Sequence, residues 1–189
     1  MHNEGYCLFE TALGTCGIAW RETVDSRAAH AVTFFQLPEA TAQIAESRIA
    51  RKSGAGKGDV IPAEISGIIE RVRKHFLRDV QDFQGVTLDL QATGAFARLV
   101  YDTARRIPAG ETRTYGAIAK ELGEPGAARA VGRALGANPI PLIVPCHRVL
   151  AAGGQLGGFS AHGGGDTKAR MLAIEGVALV TVAQGRLLF

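Results

Sequence analysis

The sequence predicts an α+β fold, a small N-terminal antiparallel sheet with helices followed by a mostly helical C-terminal domain that carries a helix-turn-helix. Three observations lead there. Short β-rich runs separated by turn residues are confined to the region before Pro38. Apolar residues then recur at helical spacing. Past Gln91 the chain becomes rich in Ala and Gly and is punctuated by caps and stops at short intervals. At 189 residues, 47% of them hydrophobic, the chain can bury one large core or two small ones. The expected division is a supporting unit over 1–90, a second unit over 91–178 and a tail over 179–189.

The strands are expected at "YCLFE", "CGIAW" and "AVTFF", separated by Gly, Thr, Asp and Ser. "PEATAQIAESRIARK" predicts a helix with Pro38 in its first turn, and "SGAGKGD" a flexible break. A second helix begins near Pro62, with Ile65, Ile68, Ile69, Val72 and Phe76 on the face that covers the sheet. "VTLDL" alternates as an extended segment does. Thr93 is the expected N-cap of a helix carrying Phe96, Leu99, Val100 and Ile107, ended by Pro108 and the turn "PAGE". Thr114 caps "YGAIAKEL", which stops at Gly123. After "GEPG" comes "AARAVGRALGAN", completing the helix-turn-helix. The last helix is expected to start at Asp166 as N-cap and to end at Gly176, with a hairpin around Gln184 and Gly185 in the tail. No internal repeat is present.

Composition excludes several classes. Cys7, Cys16 and Cys146 are odd in number and widely spaced, which fits neither a disulfide framework nor a metal knuckle and points to a reducing, cytoplasmic setting. The apolar run Ile140 to Val144 is too short to cross a bilayer, and the N-terminus carries no export signal, so no membrane association is expected. Net charge is +3, and between Gly94 and Glu175 ten Lys or Arg face six Asp or Glu, a balance compatible with nucleic acid. His2, His30 and His75 have no spacing that recommends zinc with the N-terminal cysteines, and no metal or cofactor is expected.

The chemistry concentrates in "NPIPLIVPCHRVLAAGG". Cysteine in an apolar run is ordinarily a small core residue, the role expected for Cys7 and Cys16. Around Cys146, Pro145 fixes the backbone, His147 follows at once, and glycine-rich loops lie beyond. A nucleophilic cysteine acts as thiolate, and an imidazole lowers the cost of forming one. Adjacent side chains diverge, so a bridging water is needed between sulfur and ring. Glu175, in the last turn of the final helix, is the carboxylate placed to orient His147. The second helix of the helix-turn-helix offers Ala127, Ala128, Ala130 and Gly132 with one long basic group, Arg129. Such a slim helix suits either tight helix packing or the narrow minor groove, rather than base reading in the major groove.

"PCHRV", preceded by "GAARAVGRAL" and "GANPIPLIV" and followed by "GGFS" and "LAIEG", resembles the O6-alkylguanine-DNA alkyltransferases, also called methylated-DNA-protein-cysteine methyltransferases. The likeness covers about residues 93–176 with the motifs in order. It implies that Cys146 accepts the alkyl group from guanine O6, irreversibly and once per molecule, without a cofactor. It further implies that His147 and Glu175 withdraw the thiol proton and that Asn138 braces the turn around Cys146. Tyr115 would protonate or polarise guanine N3 and, with Thr114, meet the DNA, while Arg129 fills the gap left by the extruded base. Ser160 and the backbone at Cys146, Val149 and Phe159 would hold the guanine, and Leu135 and Pro141 would line its pocket. The implied partner is double-stranded DNA with O6-alkylguanine, O4-alkylthymine being a further substrate, bound through the minor groove by a monomer. The chain departs from the family in a longer segment between Ser160 and Glu175, in Phe159 where tyrosine is frequent, and at Ala161 and His162.

Three rival functions are disfavoured by particular residues. A non-catalytic lesion sensor of the alkyltransferase-like kind lacks the acceptor thiol that Cys146 supplies. A transcriptional regulator needs base-reading side chains, which "AARAVGRALG" does not carry. A cysteine hydrolase ordinarily draws Cys and His from separate segments.

Overall fold

A computed structural model describes residues 4–24 and 28–178. The expected tail hairpin around Gln184 lies outside them, as does His2. Strands β1 (Glu4–Thr11), β2 (Gly14–Glu22) and β3 (His30–Gln36) form an antiparallel sheet in the order β1-β2-β3. Its two faces follow from strand alternation. Tyr6, Ala19 and Phe34 meet Ile49 of α1 (Ala42–Ser53), whereas Cys7, Phe9, Cys16, Ile18 and Phe35 meet Ile65, Ile69, Val72 and Phe76 of α2 (Ala63–Phe76). The three strands and the sheet-covering helix expected from sequence are therefore present, with Ile68 at the edge of the buried stripe.

Both sheet edges are covered, which removes the exposed backbone donors that invite aggregation. On β1, Tyr6 exchanges hydrogen bonds with Gly56 and Gly58. The segment "SGAGKGD", expected to be a flexible break, is thus a paired edge. A Cβ at Gly58 would lie 2.8 Å from the Trp20 ring, so glycine is what lets the backbone approach. On β3, Val32 bonds to Thr87 and Asp89, making "VTLDL" extended as expected, although only an isolated bridge forms. Further along the same strand, Phe35 N–H donates to Pro139 O at 2.9 Å, which docks the Asn138 loop on the sheet.

The second half contains α3 (Ala95–Arg105), a two-residue parallel pair β4 (Arg113–Thr114) and β5 (Val149–Leu150), α4 (Tyr115–Glu121), α5 (Ala128–Gly136) and α6 (Gly164–Ile174). Thr114 caps α4 by accepting from Ala117 N–H at 3.1 Å, worth about 1 kcal/mol, and Gly123 stops it at φ +78°. Helices α4 and α5 pack as the expected helix-turn-helix. One buried cluster runs from the sheet through α2 into α3, α5 and the Ile140–Val144 loop.

Four local expectations are corrected. Pro38 precedes α1, and Thr41 is its cap, accepting from Ile44 N–H. Thr93 does not cap α3; Gly94 holds that position without a side-chain bond, and the Thr93 carbonyl accepts from Arg98 instead. Leu99 is exposed because the buried stripe of α3 runs through Val100, Tyr101 and Ala104, and Ile107 packs from the turn beyond the helix. Asp166 sits inside the first turn of α6. Its cap is Gly163 at φ +79°, where a Cβ would meet Thr167 Oγ1 at 2.5 Å.

Candidate active site

Cys146 opens a single 3-10 turn, Cys146–Arg148, at the end of the Asn138–Pro145 loop. Two bonds set that loop: Asn138 Nδ2 donates to Val144 O at 2.9 Å, and Asn138 Oδ1 accepts from Ile140 N–H at 3.0 Å. Pro145, at φ −80° and ψ 64°, is an inverse γ-turn closed by Cys146 N–H onto the same Val144 carbonyl. The bracing role expected of Asn138 and the stiffening by Pro145 thus act on one carbonyl.

Cys146 is 6% exposed and lines a cavity of about 670 Å³. Thr114, Tyr115, Ala128, Arg129, Gly132, Leu135, Phe159 and Ser160 share its wall. Tyr115 is held in place by glycine on two sides. Its ring lies 3.9 Å from where a Cβ on Gly132 would be, and a Cβ on Gly157, at φ +66°, would stand 3.2 Å from it. Arg129, among the exposed residues of α5, lines the same cavity, with no hydrogen-bond or ion-pair partner among the described residues.

Not every expected residue meets there. Pro141 lines a smaller cleft of about 40 Å³ on the other flank of Cys146, shared with Asn138, Phe159 and Ser160. Val149 is wholly buried; its N–H donates to Cys146 O and its carbonyl accepts from Lys168 Nζ at 2.6 Å. Ala127, the residue before α5, and Ala130 on it are half-buried and do not line the cavity.

Behind the thiol lies a buried charged cluster. His147 Nε2 is 3.0 Å from Glu175 Oε1, as the pairing read from sequence requires. Donation from Nε2 leaves His147 Nδ1 as an acceptor, and it has no hydrogen-bond partner among the described residues. No direct hydrogen bond joins it to Cys146, consistent with the divergence of neighbouring side chains. Arg148 grips the carboxylate with a two-pronged contact, Nε to Oε2 at 2.9 Å and Nη2 to Oε1 at 2.8 Å, and its Nη1 donates to Ile107 O at 2.6 Å. Breaking such a buried pair by removing one partner costs about 3–5 kcal/mol.

Burial shifts each group in a direction that matters. It pushes the Cys146 thiol up, opposed by Asn138, the Lys168 charge and the N–H groups of Cys146 and His147. At rest the sulfur keeps its proton. Burial lowers His147 despite Glu175, so the ring is neutral and free to accept that proton. For Glu175 burial alone acts upward, but donors on His147, His75 and Arg148 outweigh it and hold the carboxyl well below the usual range. Tyr115 is pushed up by burial and by Cys146, and so remains a proton donor at neutral pH.

Three contributors escaped the sequence reading: Arg148, Lys168 and His75. Arg148 is the one charge inside a buried run, and His75 the one polar residue beside Phe76 on the apolar face of α2, which are the signals that mark them. Lys168 is 0% exposed and donates to Val149 O and Leu156 O, tying β5 to the loop before the pocket wall. Among the described residues no group of His, Cys, Asp or Glu is arranged to hold a metal ion, and no helix is long and apolar enough to cross a membrane.

Comparison with known proteins agrees with the geometry. Residues 95–177 match the family model of the 6-O-methylguanine DNA methyltransferase, DNA binding domain. A methylated-DNA–protein-cysteine methyltransferase of Mycolicibacterium paratuberculosis is 46% identical over 114 residues, covering 60% of this chain and 67% of that one. The crystal structure of Mycobacterium tuberculosis OGT in complex with DNA superposes with a TM-score of 0.69 at 34% identity, over 90% of this chain and 92% of that one. An O6-methylguanine-DNA methyltransferase from Pyrococcus kodakaraensis superposes at 0.66 with 26% identity, over 92% and 99%. With the thiol, its paired imidazole and carboxylate, and the helix-turn-helix all in place, the chain belongs to the methylated-DNA–protein-cysteine methyltransferase family.

Proposed function

We propose that this protein repairs O6-alkylguanine in double-stranded DNA by irreversible transfer of the alkyl group to Cys146. The observation that carries the reading is the convergence at one cavity of a thiol on its floor, Tyr115 and Arg129 at its rim, and the His147–Glu175 pair behind. A stacked guanine cannot present its alkyl carbon to a buried sulfur, on a residue only 6% exposed, so the nucleotide must leave the duplex. Arg129, on a helix of small residues that fits the minor groove, occupies the vacated space in the base stack.

The transfer balances within these groups. The Cys146 proton passes through a water to His147 Nδ1, and the imidazolium that results is stabilised by Glu175. Sulfur forms a bond to the alkyl carbon as the carbon–O6 bond breaks, and the electron pair moves into the purine, where the Tyr115 hydroxyl meets it at N3. Ser160 and the backbone near Cys146 and Phe159 hold the base edge against Leu135. The product is a thioether, whose carbon is no electrophile for the hydroxyls or imidazole at hand, so each molecule acts once. O4-alkylthymine presents the same oxygen-bound carbon and is a candidate for the same transfer.

Intact-protein mass spectrometry after incubation with an O6-methylguanine duplex tests the reading. One added methyl on the peptide containing Cys146 is expected; multiple turnovers, or a methyl elsewhere, would overturn it. Replacing Arg129 with Ala is expected to slow repair in duplex DNA about tenfold or more, the scale of losing at least about 1.4 kcal/mol of help in extruding a base, while sparing reaction with the free alkylguanine base. Equal losses on both substrates would remove the arginine from that role.

A further inference from the structure

The N-terminal half places a second imidazole on the same carboxylate. His75, one residue from the end of α2, is 0% exposed, and its Nε2 lies 3.2 Å from Glu175 Oε1, with side chains 1% and 0% exposed. The approach is close but not straight enough for a well-aligned hydrogen bond, and Nε2 has no hydrogen-bond partner among the described residues. On the other side of the ring, the Gln81 backbone N–H donates to Nδ1 at 3.2 Å. A nitrogen that accepts a hydrogen bond carries no proton, so in the neutral ring the proton sits on Nε2, facing Glu175. The rings of Phe76 and Phe83, with centroids 5.8 and 5.6 Å away, hold the imidazole in place.

We propose that His75 is a positioning residue for the alkyl transfer, holding Glu175 Oε1 from the N-terminal half so that the carboxylate stays aligned on His147. The proposal rests on the reading that Cys146, His147 and Glu175 carry the reaction. Among the described residues three groups face the Glu175 carboxylate: His147, Arg148 and His75. Arg148 supplies permanent charge to both oxygens, whereas His75 meets only Oε1, the oxygen that His147 uses. When His147 accepts the thiol proton its bond to Oε1 becomes charge-assisted and gains most from a fixed acceptor. A core histidine kept only for packing would need no tautomer locked by one neighbour and aimed at a catalytic carboxylate by the geometry of another. The sheet-bearing half thereby contributes to the reaction as well as to support.

The full chain is tested with His75→Phe, which keeps a ring of similar size but no donor, and with His75→Gln, whose side-chain amide returns a donor near the position of Nε2. The rate of methyl transfer from an O6-methylguanine duplex and its pH profile are measured, together with affinity for the same duplex in a Cys146→Ala background. His75→Phe is expected to slow transfer about tenfold, the scale of withdrawing one N–H that faces a buried carboxylate, with duplex affinity unchanged, and His75→Gln to recover most of the rate. A wild-type rate in His75→Phe, a His75→Gln protein as slow as His75→Phe, or parallel losses of rate and affinity would each overturn the proposal. Should His75→Phe fail to fold, nitrogen-15 imidazole spectra of the unaltered protein decide: a proton on Nε2 of His75 is expected, and one on Nδ1 overturns it. If the unaltered protein acquires no methyl the functional reading fails first; if it does and His75→Phe matches it, only this inference falls.

Discussion

The sheet interior and the floor of the cavity each hold buried cysteine, and the two regions treat it differently. In the sheet, burial pushes Cys7 up to about 11 and Cys16 to about 12, and the neighbours that oppose it, Arg73 for the first and Thr11 for the second, do little. At the cavity, Cys146 is just as hidden, yet an amide, a lysine charge and two backbone N–H groups act against the cost of ionising it, and a neutral imidazole with a free acceptor nitrogen stands next in the chain. On the proposed function, burial therefore does not separate an inert thiol from a reactive one. The polar groups around the sulfur, and open volume beside it, do.

The strongest way to break that contrast is to replace each cysteine by Ala. Cys146→Ala is expected to abolish transfer, read by mass spectrometry, while leaving binding to alkylated duplex; retained transfer would place the acceptor elsewhere. Next in size, Tyr115→Phe removes the donor but not the ring packed between Gly132 and Gly157. Single-turnover kinetics should show transfer slowed about 100-fold, the lower range for loss of a general acid, with affinity little changed. An unchanged rate would make the hydroxyl dispensable.

A smaller effect sharpens the comparison through pH. His147 lies below its ordinary 6.5, so the ring stays an acceptor and the rate should hold as the pH falls to that value, declining only beneath it. On the alkaline side Lys168, brought down by burial to about 8, loses the charge that favours the thiolate. The rate should bend near pH 8, and Lys168→Met should be slower below that pH and lack the bend; a profile identical to wild type would remove the lysine from the account. Glu175 bears on stability instead. Its folded value is depressed, so its contribution is full above pH 4.5 and is lost as the pH falls below it. Acid unfolding of Glu175→Gln should accordingly be less steep, as followed by circular dichroism. The smallest effect is expected in the sheet, where Cys7→Ala or Cys16→Ala should cost about 1 kcal/mol in denaturant unfolding without touching transfer.

Strands, the Thr114 cap and the helix-turn-helix were legible because each depends on residues near one another in the chain. Thr114 reads as a cap because its hydroxyl and the Ala117 N–H it accepts from are three residues apart. Where the reading failed, glycine was the usual reason: Gly94 and Gly163 took cap positions expected for Thr93 and Asp166, and Gly58 turned an expected break into a sheet edge. A glycine states that a backbone may go almost anywhere, and only its neighbours in space say where.

The grouping of Cys146, His147 and Glu175 was also readable, since Cys146 and His147 are adjacent and Glu175 closes a helix whose pattern is plain. What the chain could not announce was how that carboxylate is kept ionised. Arg148 and His75 reach it from the 3-10 turn that begins at Cys146 and from a helix a hundred residues upstream. Local sequence sets which groups can donate, accept or carry charge, because those are properties of single side chains and short spacings. Tertiary packing decides which of them share one dry volume, because the strength of a charge or a hydrogen bond there depends on everything that has displaced the water.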